Sequence, residues 1–471
     1  MPSQPKLNLP NFFAKFWLFF ISLTLSFNFG CAYCLNEEPG TLREIDKAII
    51  DTNIELLKIS ILARREIVGY TKRELIGAEQ KQSLRLALYN VLGFGAIDAG
   101  AIDVAYIGWK YNNHPNIPSQ AFLNSGPILS LTGHSILFSG ALTEIALNII
   151  RKRKFKNLKI DKVAYTKFLT ANVTRLNSLL NKRKTIQANN LNEDVNTSDI
   201  NVLTEVSKFT TCYALRTYAV LQKDKYAQGV FDTLFLLNAG VGGYMGALLD
   251  LIAISHNRLG IEGPAGIGFT ISGAIIATTP IITNLVAKHT FKKALKEISA
   301  KTNMTNTDLT RSQLSSELNK LKANLTQLNP SDLTNSDNEA LKNYLANLGI
   351  YKKLDTYFEV LQNVDQSINK SARKALIRTS LVNAINGGCK IGFGVQVAHT
   401  GFAFRGNTLP QYKEAFKRLA EAATTFIPGP TLAVSDIVEA KSQALYTKLR
   451  YHKPGSGKQL TAVLDDLESI K

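Results

Sequence analysis

The chain has few of the residues from which most protein chemistry is built. Its four cysteines, Cys31, Cys34, Cys212 and Cys389, are too few for a disulfide framework. Cys31 and Cys34 form a CxxC, but no second pair or neighbouring histidine completes the four ligands of a structural metal site. His114, His134 and His399 are scattered, and no two histidines share a helical face at ligand spacing. No metal and no cofactor is therefore expected. No Ser, His and Asp constellation can be read from the chain, which leaves an enzyme as the least supported class. Gly455, Ser456, Gly457 and Lys458 look like the end of a phosphate-binding loop, but His452 stands where glycine belongs and Gln459 replaces the hydroxyl that would hold magnesium. With no apolar strand before it, that run reads as a flexible tail.

Charge is also scarce, and biased to one sign. Only 20% of the 471 residues are charged and 45% are hydrophobic, yet the formal net charge is +18. Mean hydropathy is close to zero, so the average conceals segregation into apolar and basic stretches, as in a membrane protein with sizeable polar parts. The charge would suit nucleic acid. The densest basic cluster, however, directly follows an apolar run, and no nucleic-acid fold signature accompanies it, so no nucleic-acid partner is expected.

What the chain does have is one kind of segment used repeatedly: a long apolar hairpin with small residues at helical spacing. Ala96 and Gly100 form a small-xxx-small pair; Gly242 and Gly246 repeat it 146 positions on, and Gly388 and Gly392 repeat it after another 146. Gly126 and Gly133 recur as Gly266 and Gly273 at an offset of 140. Small residues on one face let helix backbones approach closely in lipid. The spacing predicts an all-α, polytopic membrane protein with three transmembrane hairpins, at 84–150, 229–287 and 375–445. The stretch from Gly263 to Ala287, 25 residues without a charge, is the strongest spanning candidate. In the third hairpin Lys390 interrupts the first arm, and Pro428, Pro430 and Asp436 interrupt the second, so that copy is degraded.

Between the hairpins lie amphipathic stretches that read as helical pairs outside the membrane, at 151–228 and 288–374. The first shows apolar faces through Leu169, Val173, Leu176 and Leu180 and through Val202, Val206, Phe209 and Tyr213. The second carries two heptad seams, Leu314 to Leu328 and Leu354 to Ile368, expected to pack on each other within the chain; these pairs are also the surfaces offered to a protein partner or to a second copy. A segment at 35–83 opens with a capping box, Thr41 and Glu44, and a polar tail occupies 446–471. Residues 1–34 read as a leader: Lys6 and Lys15 precede the apolar run Phe16 to Phe29, and Gly30 and Ala32 follow. The alternative is an uncleaved signal anchor.

Two sets of charged residues are candidates for function. Acids inside apolar arms are costly and usually face a partner or an aqueous path; Asp98, Asp103, Glu144 and Asp250 are such acids, and they would form the polar centre of a transporter or channel. Arg151, Lys152, Arg153 and Lys154 sit where the first hairpin leaves the membrane and would meet anionic lipid head groups. No reaction is identifiable. The expected role is structural or interaction-based, in the membrane of the cell envelope, with transport as the alternative and a secreted soluble helical protein as the second alternative. A cleaved leader puts the helical pairs on the exoplasmic side, whereas the basic flanks favour the cytoplasm. The leader acts first during export and decides for the exoplasmic side.

Overall fold

The structure is a computed structural model that describes residues 41–71, 81–111, 119–185, 193–304, 311–328, 335–404, 409–451 and 456–469. The expected leader with Cys31 and Cys34 lies outside the described residues, as do His114 and the prolines of the first hairpin turn. Among the described residues every element is helical. In chain order they are α1 (Leu42–Thr71), α2 (Lys81–Tyr111), α3 (Gln120–Leu123), α4 (Ser125–Asn157), α5 (Lys162–Thr185), α6 (Glu193–Leu236), a π-helical segment (Leu237–Tyr244), α7 (Met245–Ser255), α8 (Glu262–Thr302), α9 (Ser312–Thr326), α10 (Asn335–Ala403), α11 (Leu409–Phe426), α12 (Pro428–Tyr451) and α13 (Ser456–Ser469).

The helices build two layers, an apolar one and a charge-clothed bundle. Among the described residues, four helical stretches are long and apolar enough to cross a membrane: Leu84–Tyr111, Gln120–Thr185, Glu193–Ser255 and Leu259–Thr302. Large apolar side chains are exposed along these stretches and along the second half of α10, for example Leu88, Ile102, Ile149, Val241, Ile281, Leu285, Ile377 and Leu381. Val163, Tyr226 and Leu345, in the parts of these helices that enter the bundle, and Val438 of α12 are exposed as well. A water-soluble domain rarely exposes contiguous apolar surface on this scale. The second half of α10 packs in the same layer, but Asn383, Asn386, Lys390 and Gln396 lower its apolarity. Its return arm is broken: α11 ends at Phe426 and α12 starts on Pro428, where proline fits the first helical turn but could not continue the preceding helix.

Three seams of small residues hold the apolar layer together. A Cβ on Gly100 would lie 2.6 Å from the carbonyl oxygen of Gly126, and one on Gly133 would lie 2.4 Å from that of Gly93. The α2–α4 hairpin is thus closed by glycines seven residues apart in antiparallel register. α8 is pinched on two faces. Its Gly266 and Gly273 meet Gly394 and Gly387 of α10, with a Cβ on Gly266 only 2.2 Å from the Ala398 nitrogen. On the other face Ser272 and Gly268 meet Gly242 and Gly246. Gly388 and Gly392, expected to pack, have open space where a side chain would go. The α10 seam instead uses Gly387, Gly394 and Gly401, whose seven-residue spacing returns each to nearly the same helical face.

The second layer is one core, not a set of separate pairs. Ile45, Ile49, Leu57 and Ile61 of α1 pack with the expected faces of α5 and α6, and with both heptad seams: Leu314, Leu318, Leu321 and Leu325 from α9, Leu354, Phe358, Leu361 and Val364 from α10. Phe209 stacks on Phe358 at 4.1 Å. The capping box forms, with the Thr41 and Glu44 side chains each accepting from the other's backbone N–H at 3.3 and 3.0 Å. The expected flexible tail is instead helical, because Leu460, Val463 and Leu467 recur on one face and enter this core. The layers are not hinged domains. α6, the π segment and α7 run through both as a single 63-residue rod, and α10, at 69 residues, extends about 100 Å at ~1.5 Å per residue.

The seams make opposite demands at neighbouring glycines of similar chemistry. Gly266→Leu should lower thermal stability in detergent by at least the ~1–3 kcal/mol typical of overpacking, because its new side chain meets backbone. Gly388→Leu should change it by less than about 0.5 kcal/mol. Equal effects of the two substitutions would show that the seam is misassigned.

Candidate functional site

Near the middle of the apolar layer, three arms converge on a buried base pair. α4 contributes His134, 1% exposed, and α10 contributes Lys390, 2% exposed. The Ser130 carbonyl lies 2.8 Å from His134 Nδ1 and can only accept, so Nδ1 carries the proton. That leaves Nε2 as the acceptor for an N–H of the Lys390 amino group at 3.0 Å. The π segment makes room for the ring: a Cβ on Gly243 would lie 2.2 Å from His134 Cδ2. π-helical turns inside α-helices are frequent at functional sites. In this one the Asn238 side chain accepts from the Ser272 hydroxyl across to α8. Phe269 of α8 closes the side, its ring centre 5.9 Å from Lys390 Nζ.

Beside this pair is a cavity of about 30 Å³ lined by Lys390, His134, Ser130, Asp250 and the rings of Phe393 and Phe426. Most of the remaining wall is apolar, from residues such as Ile97, Val104, Pro127 and Phe269, and the volume matches one or two waters. Lys390 makes no ion pair within the described residues, so an amine and a carboxyl group line one small cavity without pairing. Asp250 in turn meets the carboxyl of Glu262, the first residue of α8, which is fully buried.

The four expected acids are not gathered at one centre. Of them, Asp250 alone lines the cavity. Asp98 accepts from the Thr431 hydroxyl of α12 at 2.6 Å. Asp103 accepts from the Ser125 hydroxyl and ties off the α2–α4 turn. Glu144 takes Arg85 in a two-bond clamp, 2.8 and 3.3 Å, that joins the other end of the same hairpin. The centre is completed instead by His134, Lys390 and Glu262. Lys390 was legible as the single formal charge between Arg378 and Arg405. His134 was not, since its partner lies 256 residues away.

The basic exit is also rearranged. Arg151 is 4% exposed and pairs with Asp224, its guanidinium 5.0 Å from the Phe155 ring; it does not face lipid head groups. The reason is its phase: Glu144, Asn148, Arg151 and Phe155 follow at steps of four, three and four, so they share the inward stripe of α4, and Asn148 bonds Asp232 at 2.8 Å. Lys154 bonds Glu66 at 2.6 Å while remaining half exposed. Lys152 and Arg153 are exposed, and similar residues ring the boundary between the layers: Lys156, Lys225, Lys288, Lys292, Arg373 and Lys374.

The bundle has a buried ionic cluster of its own. Arg183, without solvent exposure, donates to Asp46 at 2.6 Å, Asp199 at 2.9 Å and Asn196 at 2.8 Å, and Tyr351 donates to Asp199 at 3.0 Å. Two carboxylates thus share one guanidinium. Burial, with Asp46 beside it, pushes the Asp199 carboxyl up to about 7. In comparison with known proteins, no family model, curated protein or solved structure matches the chain.

The raised Asp199 value has a defined sign. Between the ordinary carboxyl value of ~3.9 and about 7, the folded protein holds a proton that the unfolded chain has released. Its contribution to stability is therefore full below the ordinary value and is lost as pH rises through about 7. The thermal midpoint should fall from pH 5 to pH 8, and Asp199→Asn should flatten that fall. An unchanged pH slope in the variant would contradict the assignment.

Proposed function

We propose that the chain is an integral protein of the cell envelope with a structural or interaction role: three related helical hairpins sit in the bilayer and hold a rigid helical bundle against its surface. The observation that carries this reading is the concentration of exposed large apolar side chains in one layer, while the same helices continue into a bundle whose surface is charged. Lipid chains would cover Leu88, Ile281 and Ile377, and the exposed lysines and arginines at the boundary would meet anionic head groups, each contributing roughly 1 kcal/mol. The glycine seams support the relation between the first two hairpins, since both are closed by small residues in antiparallel register. The third hairpin is the divergent copy, its first arm packed on α8 and its second broken at Pro428. The bundle presents the surface for a protein partner or a second copy of the chain.

A second reading, transport of a small ion, is favoured by one observation, the buried Lys390–His134 pair beside a small cavity. Ionisable groups at membrane depth mark ion pathways more often than they stabilise a fold. On the first reading the pocket is occluded and the bundle works as an anchor.

With both described ends of the chain in the bundle, the proposed arrangement puts the bundle on one side of the bilayer, the exoplasmic side that the expected leader would give it. A single labelling experiment tests spanning and orientation together, using one cysteine at the exposed position 178 and another at the exposed turn position 258, in a background lacking the native cysteines. An impermeant reagent applied from outside should modify position 178 and reach position 258 only after permeabilisation. The reverse pattern would place the bundle in the cytoplasm; labelling of both from outside would contradict spanning.

A further inference from the structure

Glu262 and Asp250 stand apart from every other acid in the apolar layer. Asp98 and Asp103 accept hydroxyl hydrogen bonds, and Glu144 has its arginine. Glu262 is 0% exposed, and among the described residues neither of its carboxyl oxygens receives a hydrogen bond from a donor. The polar group it meets is the carboxyl of Asp250, across the α7–α8 turn. The end of α10 seals the place: a Cβ on Gly401 would lie 2.1 Å from the Gly263 nitrogen and 2.8 Å from the Glu262 Cβ, so no side chain can enter from that position.

Two carboxylates facing each other in an apolar surrounding repel, and each loses its hydration; such a pair persists only when something positive joins it. The described basic groups nearby do not supply the charge. Lys390 lines the adjoining cavity but donates to His134 and forms no ion pair with either acid, while His134 directs its own proton to the Ser130 carbonyl. Arg258 and His256 lie exposed in the turn and form no ion pair with either acid. The N-terminus of α8 favours one net negative charge at Glu262, but not two.

We infer that Asp250 and Glu262 form a binding site for a single positive charge, taken either as a proton shared between the two carboxyls or as a sodium ion held between them. Either occupant leaves the pair with one net negative charge, which suits the helix terminus. A calcium ion takes six to eight oxygen ligands, and no third acid, histidine or cysteine joins the pair among the described residues. A water-sized cavity adjoins the site on the Asp250 side. This assignment is independent of whether the bundle transports anything.

Infrared spectroscopy of the purified full-length protein in detergent, in choline buffer free of alkali ions at pH 7.5, reads the occupant directly. The spectrum of the wild type minus that of Glu262→Gln should contain a protonated-carboxyl band. If that band survives addition of sodium chloride, the occupant is a proton; if it is lost while carboxylate bands appear, the occupant is sodium. Asp250→Asn should abolish the same band and any sodium response, which keeps the test readable should Glu262→Gln fail to fold. A wild type with no such band between pH 5 and 8 and no spectral response to sodium would overturn the site.

Discussion

Backbone-to-backbone contact along α8 is the constraint on which the apolar layer depends. Lipid chains are as apolar as leucine, so association there draws on close packing and not on the expulsion of water. α8 meets this demand on two faces at once, with Gly266 and Gly273 against α10 and Gly268 and Ser272 against Gly246 and Gly242. Were it held farther from either neighbour, Phe269 would no longer close the His134–Lys390 pair and Glu262 would no longer meet Asp250. The polar centre is thus a product of glycine spacing, although no glycine contributes to its chemistry.

The charged bundle is stabilised by a different balance. It has one continuous apolar core, and it ties its distant segments with buried ion pairs, Arg183 with Asp46 and Asp199, Arg64 with Asp365, Arg151 with Asp224. Such pairs add less net stability than their geometry suggests, because desolvation opposes the attraction, but breaking one leaves a buried charge alone. Their positions matter more than their energies. Arg151–Asp224 sits at the boundary between the layers, and α4, α6, α8 and α10 pass that boundary without a break. A shift in the apolar layer is therefore felt in the bundle through stiff rods.

How much of this was legible in the chain depends on which physical quantity is asked for. Periodicity was legible: the apolar arms, the capping box at Thr41, both heptad seams and the break at Pro428 follow from spacing alone. The partner of a face was not. Gly388 and Gly392 have the right interval but the wrong azimuth, and one residue earlier Gly387 carries the contact, because a shift of one position turns a helix by about 100°. The same error of phase sent Arg151 to the lipid surface when its stripe with Glu144 and Asn148 faces inward. Lys390 was visible as an interruption, but its meaning required His134, and no local pattern joins residues on α4 and α10. The terminal helix was passed over because its glycine- and lysine-rich start hides the Leu460, Val463 and Leu467 face.

The central claim is that the outward face of α8 changes solvent from lipid to water along a single helix. Spin labels placed one at a time at Ile267, Ile271, Ile281 and Leu285, all exposed, and then at Lys292 and Lys296, measure this in liposomes through relaxation by oxygen and by a water-soluble nickel chelate. The account predicts oxygen-dominated relaxation at the four apolar positions and nickel-dominated relaxation at the two lysines, with the crossover near Lys288. Nickel-dominated relaxation at all six positions would contradict it.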